Sequence, residues 1–412
     1  MQRLIEALRT INYWAIVLLP FSVAISPGFA NVVIAVMIIA FLSEKMAKTE
    51  KPFLPSLPLA IFCLFIIAGA LSFVNTVSVP DSVRGMIKLL KAMLIFGVCS
   101  QSVRDKEHLK RIASSVAFSI SLIGFDALWQ SFSGRDFIRG NLLQSAIGLP
   151  RATASFPGCN GLGVYLTALT PLIAGLALFS SRLRNRVFLL SAALLGCLGI
   201  GLTLSRGAGL GLLAGLLIVS FARKNYIVIS AMVLLIGASL FFMPDNIKKW
   251  AKGEHYNPLV MMTCQTRIGI YRNTAYMIGQ HPFLGVGINT FSRNYGKYRQ
   301  EAVEATNPTA DNYYAHNNFL HIAGEMGLLG LAIFLAFLFS VLKSVWASFR
   351  KHSDLFLKAC SISVLAAICA YLVNGLTETS LYYSRIVMIF WFLIGLGLAL
   401  GRIGDDSSKQ QA

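Results

Sequence analysis

Long stretches with almost no charge recur along this chain, and they leave it few ways to fold. In hydrocarbon every backbone N–H and C=O needs an internal partner, so a run of roughly 17–25 apolar residues reads as a membrane-spanning helix. About twelve are expected, near 11–27, 30–43, 56–75, 84–100, 112–133, 160–180, 187–204, 207–222, 225–243, 318–345, 356–377 and 384–402. The stretch 187–222 is too long for one crossing. Ser205-Arg206-Gly207 breaks it, so two helices joined by a tight hairpin are expected. Arg3 and Arg9 ahead of an apolar core imitate a secretory leader. Apolar character resumes at once after Gly28, so a retained first hairpin is the preferred reading. With 56% of 412 residues hydrophobic and 13% charged, a water-soluble enzyme, which carries about 25% charge, is excluded. So is a disordered chain. The seven cysteines are an odd number, and Cys63, Cys99, Cys197, Cys360 and Cys369 lie in apolar runs. That is packing usage, not a disulfide framework.

Lys and Arg in alternate short loops set the orientation. With the N-terminus inside, the cytoplasmic loops hold Lys45, Lys48 and Lys51; Arg104, Lys106, Lys110 and Arg111; Arg182, Arg184 and Arg186; Arg223 and Lys224; then Arg350, Lys351 and Lys358. Both termini are therefore expected in the cytoplasm. The expected organisation is nine spans in 1–243, a large outer loop in 244–317, three spans in 318–402 and a cytoplasmic tail in 403–412. In a bacterium the outer side is the periplasm and the membrane the inner one. Within the loop, 264–280 has helical spacing, His281-Pro282 ends that helix, and Gly285, Gly287 and Asn289 make a turn. An amphipathic helix over 291–304 and a polar loop over 305–315 follow.

The net charge of +18 implies basic loops and anionic lipid neighbours rather than nucleic acid. The informative cations are those expected outside. Arg84, Lys88 and Lys91 recur at i, i+4, i+7 and share one face of the fourth span. Arg135, Arg139 and Arg151 follow the fifth. Arg206 sits at the tip of the 187–222 hairpin. The large loop carries Lys248, Lys249, Lys252, Arg267, Arg272, Arg293, Lys297 and Arg299 against Asp245, Glu254, Glu301, Glu304 and Asp311. A cation at mid-helix costs about 2.5–3.5 kcal/mol on insertion scales and marks a partner. Outer carboxylates near the membrane are too few to neutralise all of these cations, so an anion on the ligand is expected. A guanidinium fork matches phosphate oxygens two at a time, which makes Arg206 and Arg267 candidate pyrophosphate ligands. Arg84, Lys88, Lys91 and Arg272 are candidate phosphate contacts on the substrate; anchoring to lipid headgroups is the bland alternative for the stripe.

The segment Tyr313-Tyr314-Ala315-His316-Asn317-Asn318-Phe319-Leu320 returns the chain to the membrane. Asn317 or Asn318 can cap the entering helix, which sets His316 in its first turn at the water–lipid boundary. A neutral imidazole there can act as a general base, and a helix N-terminus disfavours imidazolium. The bland alternative is a capping or interface histidine. His316 and His321 are five residues apart and do not share a helix face. His321 and Glu325 do share one, but two ligands are not a metal site, so they read as a polar pair within the bundle. Asn317, His321 and Glu325 are candidate supporting residues. Asp126 and Glu378 are candidate counter-ions to Arg206 or Arg385, or candidate chemistry. No metal site and no cofactor are expected. There is no G-x-x-x-x-G-K-[ST] loop and no Asp-x-Asp pair. An enzyme acting outside the cytoplasm needs a donor already activated in the lipid phase, and a polyprenyl-pyrophosphate-linked sugar fits.

Three motifs occur in order: Leu204-Ser205-Arg206-Gly207; Thr266-Arg267 with a helix running to His281-Pro282-Phe283-Leu284-Gly285-Val286-Gly287; and Ala315-His316-Asn317-Asn318-Phe319 with Glu325-Met326-Gly327. Together they resemble the O-antigen ligase/polymerase superfamily over roughly 200–330. The N-terminal half is similar in topology alone. One departure is Ile268-Gly269-Ile270-Tyr271, where a Trp near Tyr271 would be expected. The resemblance implies an all-α polytopic glycosyltransferase of the lipid-donor (GT-C-like) architecture, inverting and metal-independent. It would move O-antigen from undecaprenyl pyrophosphate to a sugar hydroxyl of lipid A–core, in lipopolysaccharide biosynthesis. By motif, His316 would be the general base and Arg206 and Arg267 the pyrophosphate clamps. The single large loop and the chain length favour ligase over polymerase, whose acceptor would be a second lipid-linked repeat. A transporter of lipid-linked sugar is the reading from another class, disfavoured because the conspicuous features gather on one outer face rather than in repeated broken helices.

Overall fold

A computed structural model describes residues 1–50, 53, 55–146, 149–224, 265–299 and 314–404. Within these the chain is a helical bundle: α1 (Gln2–Ile25), α2 (Pro27–Ala47), α3 (Leu57–Leu71), α4 (Val79–Ser102), α5 (Lys106–Ser133), α6 (Cys159–Phe179), α7 (Leu183–Thr203), α8 (Arg206–Arg223), α9 (Gln265–Gln280), α10 (Phe291–Tyr295), α11 (Asn318–Lys351), α12 (Leu355–Asn374) and α13 (Val387–Leu400). Nine of the described helices are long and apolar enough to cross a membrane. The chain is an all-α polytopic membrane protein in class. The expected span at 225–243, residues 300–304 of the helix expected over 291–304, residues 305–313 of the loop expected over 305–315 and the loop charges Lys248, Lys249, Lys252, Asp245, Glu254, Glu301, Glu304 and Asp311 lie outside the described residues.

Local chemistry explains the joints. Ser26 separates α1 from α2, its hydroxyl accepting from Phe29 N–H with Pro27 opening the helix, the arrangement favoured at helix starts. Asp105 caps α5 and Asp354 caps α12. Lys106 reaches Asp354 at 2.8 Å and ties those two ends together. The hairpin between α7 and α8 is as tight as the sequence implies: Leu204 adopts a left-handed φ of 50° and Ser205 caps α8. Gly207, Gly211 and Gly215 form an i, i+4, i+8 stripe, and a Cβ on any of them would run into α12, α6 or the Thr377 side chain. Such small residues let helix backbones approach closely in lipid. They seat α8 against α12 and α6.

The core lies along α6, α12 and α13. Aromatic contacts lock α3, α4, α11 and α13: Phe62 sits 5.0 Å from Phe96, 5.1 Å from Phe337 and 5.3 Å from Trp391, ring centre to ring centre. Buried Arg385 finds no carboxylate among its bonds. It donates to the carbonyls of Val23, Ala24 and Ser155, and its guanidinium lies 3.9 Å over the Phe156 ring. Two of these carbonyls close α1, where the negative end of the helix dipole suits a cation.

Three features depart from the expectations. A short antiparallel hairpin, Gln144–Ala146 with Leu149–Arg151, follows α5. The helix expected over 291–304 is shorter: α10 ends at Tyr295 and a single 3-10 turn, Gly296–Tyr298, follows it. The helix expected over 318–345 runs on to Lys351 and is broken at Gly327, with φ 70° and ψ −176°. The loop after α9 fills the break. Val286 N–H takes the Gly324 carbonyl (2.9 Å), Gly287 N–H takes that of Glu325 (3.0 Å), and Leu328 N–H reaches Pro282 O (2.7 Å). Backbone groups freed inside a membrane bundle need such partners. A Cβ at Gly327 would lie 2.1 Å from Phe283 O, so loop and helix touch backbone to backbone.

Candidate functional site

The ends of α6, α8, α9, α11 and α12 meet around the segment 375–383, and two consecutive asparagines hold it. Asn317 is the cap: its Oδ1 accepts from Phe319 and Leu320 N–H (2.9 and 3.0 Å), and its Nδ2 donates to Leu376 O at 3.0 Å. Asn318, the first residue of α11, donates N–H to Gly375 O (2.8 Å) and Nδ2 to Ser380 Oγ (3.0 Å). Its Oδ1 accepts from Leu381 N–H at 3.0 Å. Gly375 must be bare, because a Cβ there would lie 2.2 Å from Asn318 Nδ2.

At the centre is Glu378, 1% exposed. Oε1 accepts from Arg267 Nη2 (2.5 Å) and Asn160 Nδ2 (2.7 Å); Oε2 accepts from Tyr383 Oη (3.0 Å). Arg267 also donates Nη1 to Thr377 O at 2.6 Å. Asn160 in turn accepts from Arg151 Nη2 at 3.1 Å, and Arg151 donates Nε to Thr203 O at 2.7 Å, just before the α7–α8 hairpin. His316 completes the group, with Nδ1 3.6 Å from Glu378 Oε2. Burial pushes the Glu378 carboxyl up, but the neighbouring His316 and Arg267 together outweigh burial and hold it below the usual carboxylate range.

His316 stands one residue before the cap, with a left-handed φ of 47°, and not in the first turn as the sequence suggested. Its carbonyl accepts from Tyr271 Oη at 3.1 Å. Its Nδ1 is buried, while the side chain as a whole keeps 29% of its exposure. An imidazole with Nδ1 turned to a carboxylate leaves Nε2 as the outward nitrogen, the arrangement that orients a catalytic base. Catalytic contacts of this kind are often long before substrate binds.

Arg206 opens α8 and is exposed. The next residue, Gly207, packs directly on Thr377, the neighbour of Glu378. Among the described residues, this end of the bundle carries Arg151, Arg206 and Arg267 beside the carboxylate of Glu378. That composition suits an anion with several oxygens.

Arg84, Lys88 and Lys91 belong to a different feature. Arg84 bonds Asp81 at 2.8 Å, and Arg293 also bonds Asp81. Asp81 thus serves two of the expected outer cations, and Glu378 serves a third, Arg267. Lys88 Nζ donates to Asn289 Oδ1 (2.7 Å) and Lys91 Nζ to Asn31 Oδ1 (2.5 Å), so those two meet amide oxygens. Both line a cavity of about 100 Å³ whose other walls are mainly apolar, among them Phe65, Leu89, Met326, Phe334 and Trp391. Neither His316 nor Glu378 lines it. Arg272 is exposed on α9, five residues from Arg267, roughly 140° round the helix.

Sequence reasoning named His316, Arg206 and Arg267, and the fold brings the first and third onto one carboxylate. It left Glu378 undecided between a counter-ion to Arg206 or Arg385 and a part in the chemistry, and it left out Asn160 and Tyr383. An acid in the polar step between two apolar runs was the available signal. Asp126 is also buried; its Oδ1 accepts from Phe137 N–H at 2.9 Å.

Residues 191–335 match the family model described as O-antigen ligase. The match runs from α7 into α11 and takes in Arg206, Arg267 and His316, but stops short of Glu378. No curated protein matches the chain.

Proposed function

The chain belongs, through residues 191–335, to the O-antigen ligase/polymerase superfamily, and from that premise we propose that it is the ligase. Members of this family are glycosyltransferase-like enzymes that work on lipid-linked polysaccharide. The proposed reaction moves O-antigen from undecaprenyl pyrophosphate to a sugar hydroxyl of lipid A–core, on the periplasmic face of a bacterial inner membrane, with both termini in the cytoplasm. The observation that carries this reading is Glu378, shared by the guanidinium of Arg267 and the imidazole of His316.

In the proposed mechanism Glu378 orients His316, and Nε2 takes the proton from the acceptor hydroxyl. The hydroxyl oxygen forms a bond to the anomeric carbon as the bond from that carbon to the pyrophosphate oxygen breaks, with inversion. Negative charge grows on the departing pyrophosphate, and Arg206 and Arg267 balance it; each such contact is worth about 2.7–4 kcal/mol at a transition state. Guanidinium groups thus supply the charge, and no metal or cofactor is invoked. Lys88 and Lys91, at the apolar cavity beside α4, hold a phosphate of one lipid substrate while the cavity takes part of its hydrocarbon. Arg84 and Arg272 extend the cationic rim towards the same phosphates.

A deletion strain separates ligase from polymerase. Loss of a ligase leaves long polymer unattached on its carrier and a bare core. A core that still bears one repeat, with no long polymer on the carrier, would identify a polymerase instead.

A further inference from the structure

We propose that His321 is a positioning residue that fixes the backbone carrying His316, an inference that rests on the reading of His316 as the base. His321 lies wholly buried in the first turns of α11. Its Nδ1 accepts at 3.3 Å from the N–H of Ala315, the residue before His316. An Nδ1 that accepts cannot carry the proton, so in the neutral ring the proton sits on Nε2. That nitrogen lies 3.3 Å from Glu325 Oε1, though without the alignment of a full hydrogen bond.

Glu325, 1% exposed, joins the surrounding segments. Its Oε1 accepts from Phe291 N–H (3.0 Å) and its Oε2 from Tyr382 Oη (2.9 Å). Phe291 opens α10, and Tyr382 belongs to the segment that carries Glu378. The Phe291 and Tyr382 rings lie 4.3 and 3.9 Å from the imidazole, so His321 has no room to turn away.

The consequence falls on His316. A left-handed φ on a residue with a side chain is strained and persists where its surroundings over-determine it. Here His321 holds the N–H of Ala315, one residue ahead, and Tyr271 holds the carbonyl of His316 itself. Both ends of this short run are fixed, so the imidazole is aimed at Glu378 before substrate arrives. Positioning of this kind appears in turnover rather than in substrate affinity.

Packing and positioning make opposite demands at residue 321, and two variants separate them. His321→Phe keeps an aromatic ring between Phe291 and Tyr382 but removes the acceptor for Ala315 N–H. His321→Asn gives up the ring and keeps an acceptor near the Nδ1 position. The purified full-length variants are assayed with a defined undecaprenyl-pyrophosphate glycan and lipid A–core, and the folded fraction of each is measured by size exclusion. The expected result is a kcat for His321→Phe lowered on the order of 10–100-fold with KM little changed, and substantial recovery in His321→Asn. An Asn variant no better than the Phe variant, or losses that follow the folded fraction, would overturn the proposal. His316→Ala is measured alongside. If it stays active, the reading of His316 has failed; if it is inactive while His321→Phe works like wild type, only the positioning role has failed.

Discussion

Replacing His316 with Gln is expected to lower glycan transfer by about 10²–10⁴-fold, the range that a positioned general base supplies. The amount of folded protein in the membrane should not change. The imidazole makes no full hydrogen bond through Nδ1 and keeps 29% exposure, so its loss orphans no buried partner. The helix behind it is capped by Asn317 and tied down by Asn318, not by His316. Glutamine has similar reach and polarity but takes no proton at neutral pH. Transfer by membranes containing equal amounts of either protein gives the ratio. A ratio within a few-fold of one would remove His316 from the chemistry.

The opposite pattern is expected for Glu378→Gln, where stability and activity fall together. The carboxylate is 1% exposed and receives Arg267, Asn160 and Tyr383, with His316 alongside. An amide presents an N–H₂ to at least one of those donors and leaves the arginine without a counter-charge. Breaking one side of a buried ion pair typically costs about 3–5 kcal/mol. The pH dependence of the wild type follows from the same group. Because its carboxyl is held below the ordinary range, the stabilisation is fully present above the unfolded value of about 4.3. It is lost as pH falls through the lower native value. Thermal unfolding in detergent from about pH 7 to about pH 3 should show an acid decline in the wild type that is reduced in the variant. Parallel declines would mean that Glu378 is not held as described.

Much of this molecule is legible in its sequence because the bilayer leaves so few options. Apolar runs become helices, and Ser205-Arg206-Gly207 becomes a tight hairpin, since a break between two such runs has little else to do. The breaks in regularity are harder to read. Gly327 looks like any glycine on a membrane helix, and only the loop from Pro282 to Gly287, some forty residues earlier, shows why the helix opens there. Charge pairing is harder still. Arg267 and Glu378 are 111 residues apart and Arg293 and Asp81 are 212 apart; no local pattern announces either pair. The carboxylate that joins the candidate base to the candidate clamp was therefore left among the undecided residues. His316 was placed in the first turn of the helix, although a residue ahead of either capping asparagine lies outside it, and the fold sets it one residue before the Asn317 cap.

The central claim is that this cationic end of the bundle transfers a glycan from a lipid pyrophosphate. The most direct measurement follows, in one purified preparation, glycan arriving on lipid A–core and undecaprenyl pyrophosphate set free from a defined donor, for wild type and for Arg206→Lys. One carrier should be released per glycan transferred by the wild type. In the lysine variant both products should fall about 10²–10³-fold, as for the loss of one oxyanion contact. Carrier that stays joined to its glycan while the acceptor remains bare, or a lysine variant as fast as wild type, would contradict the claim.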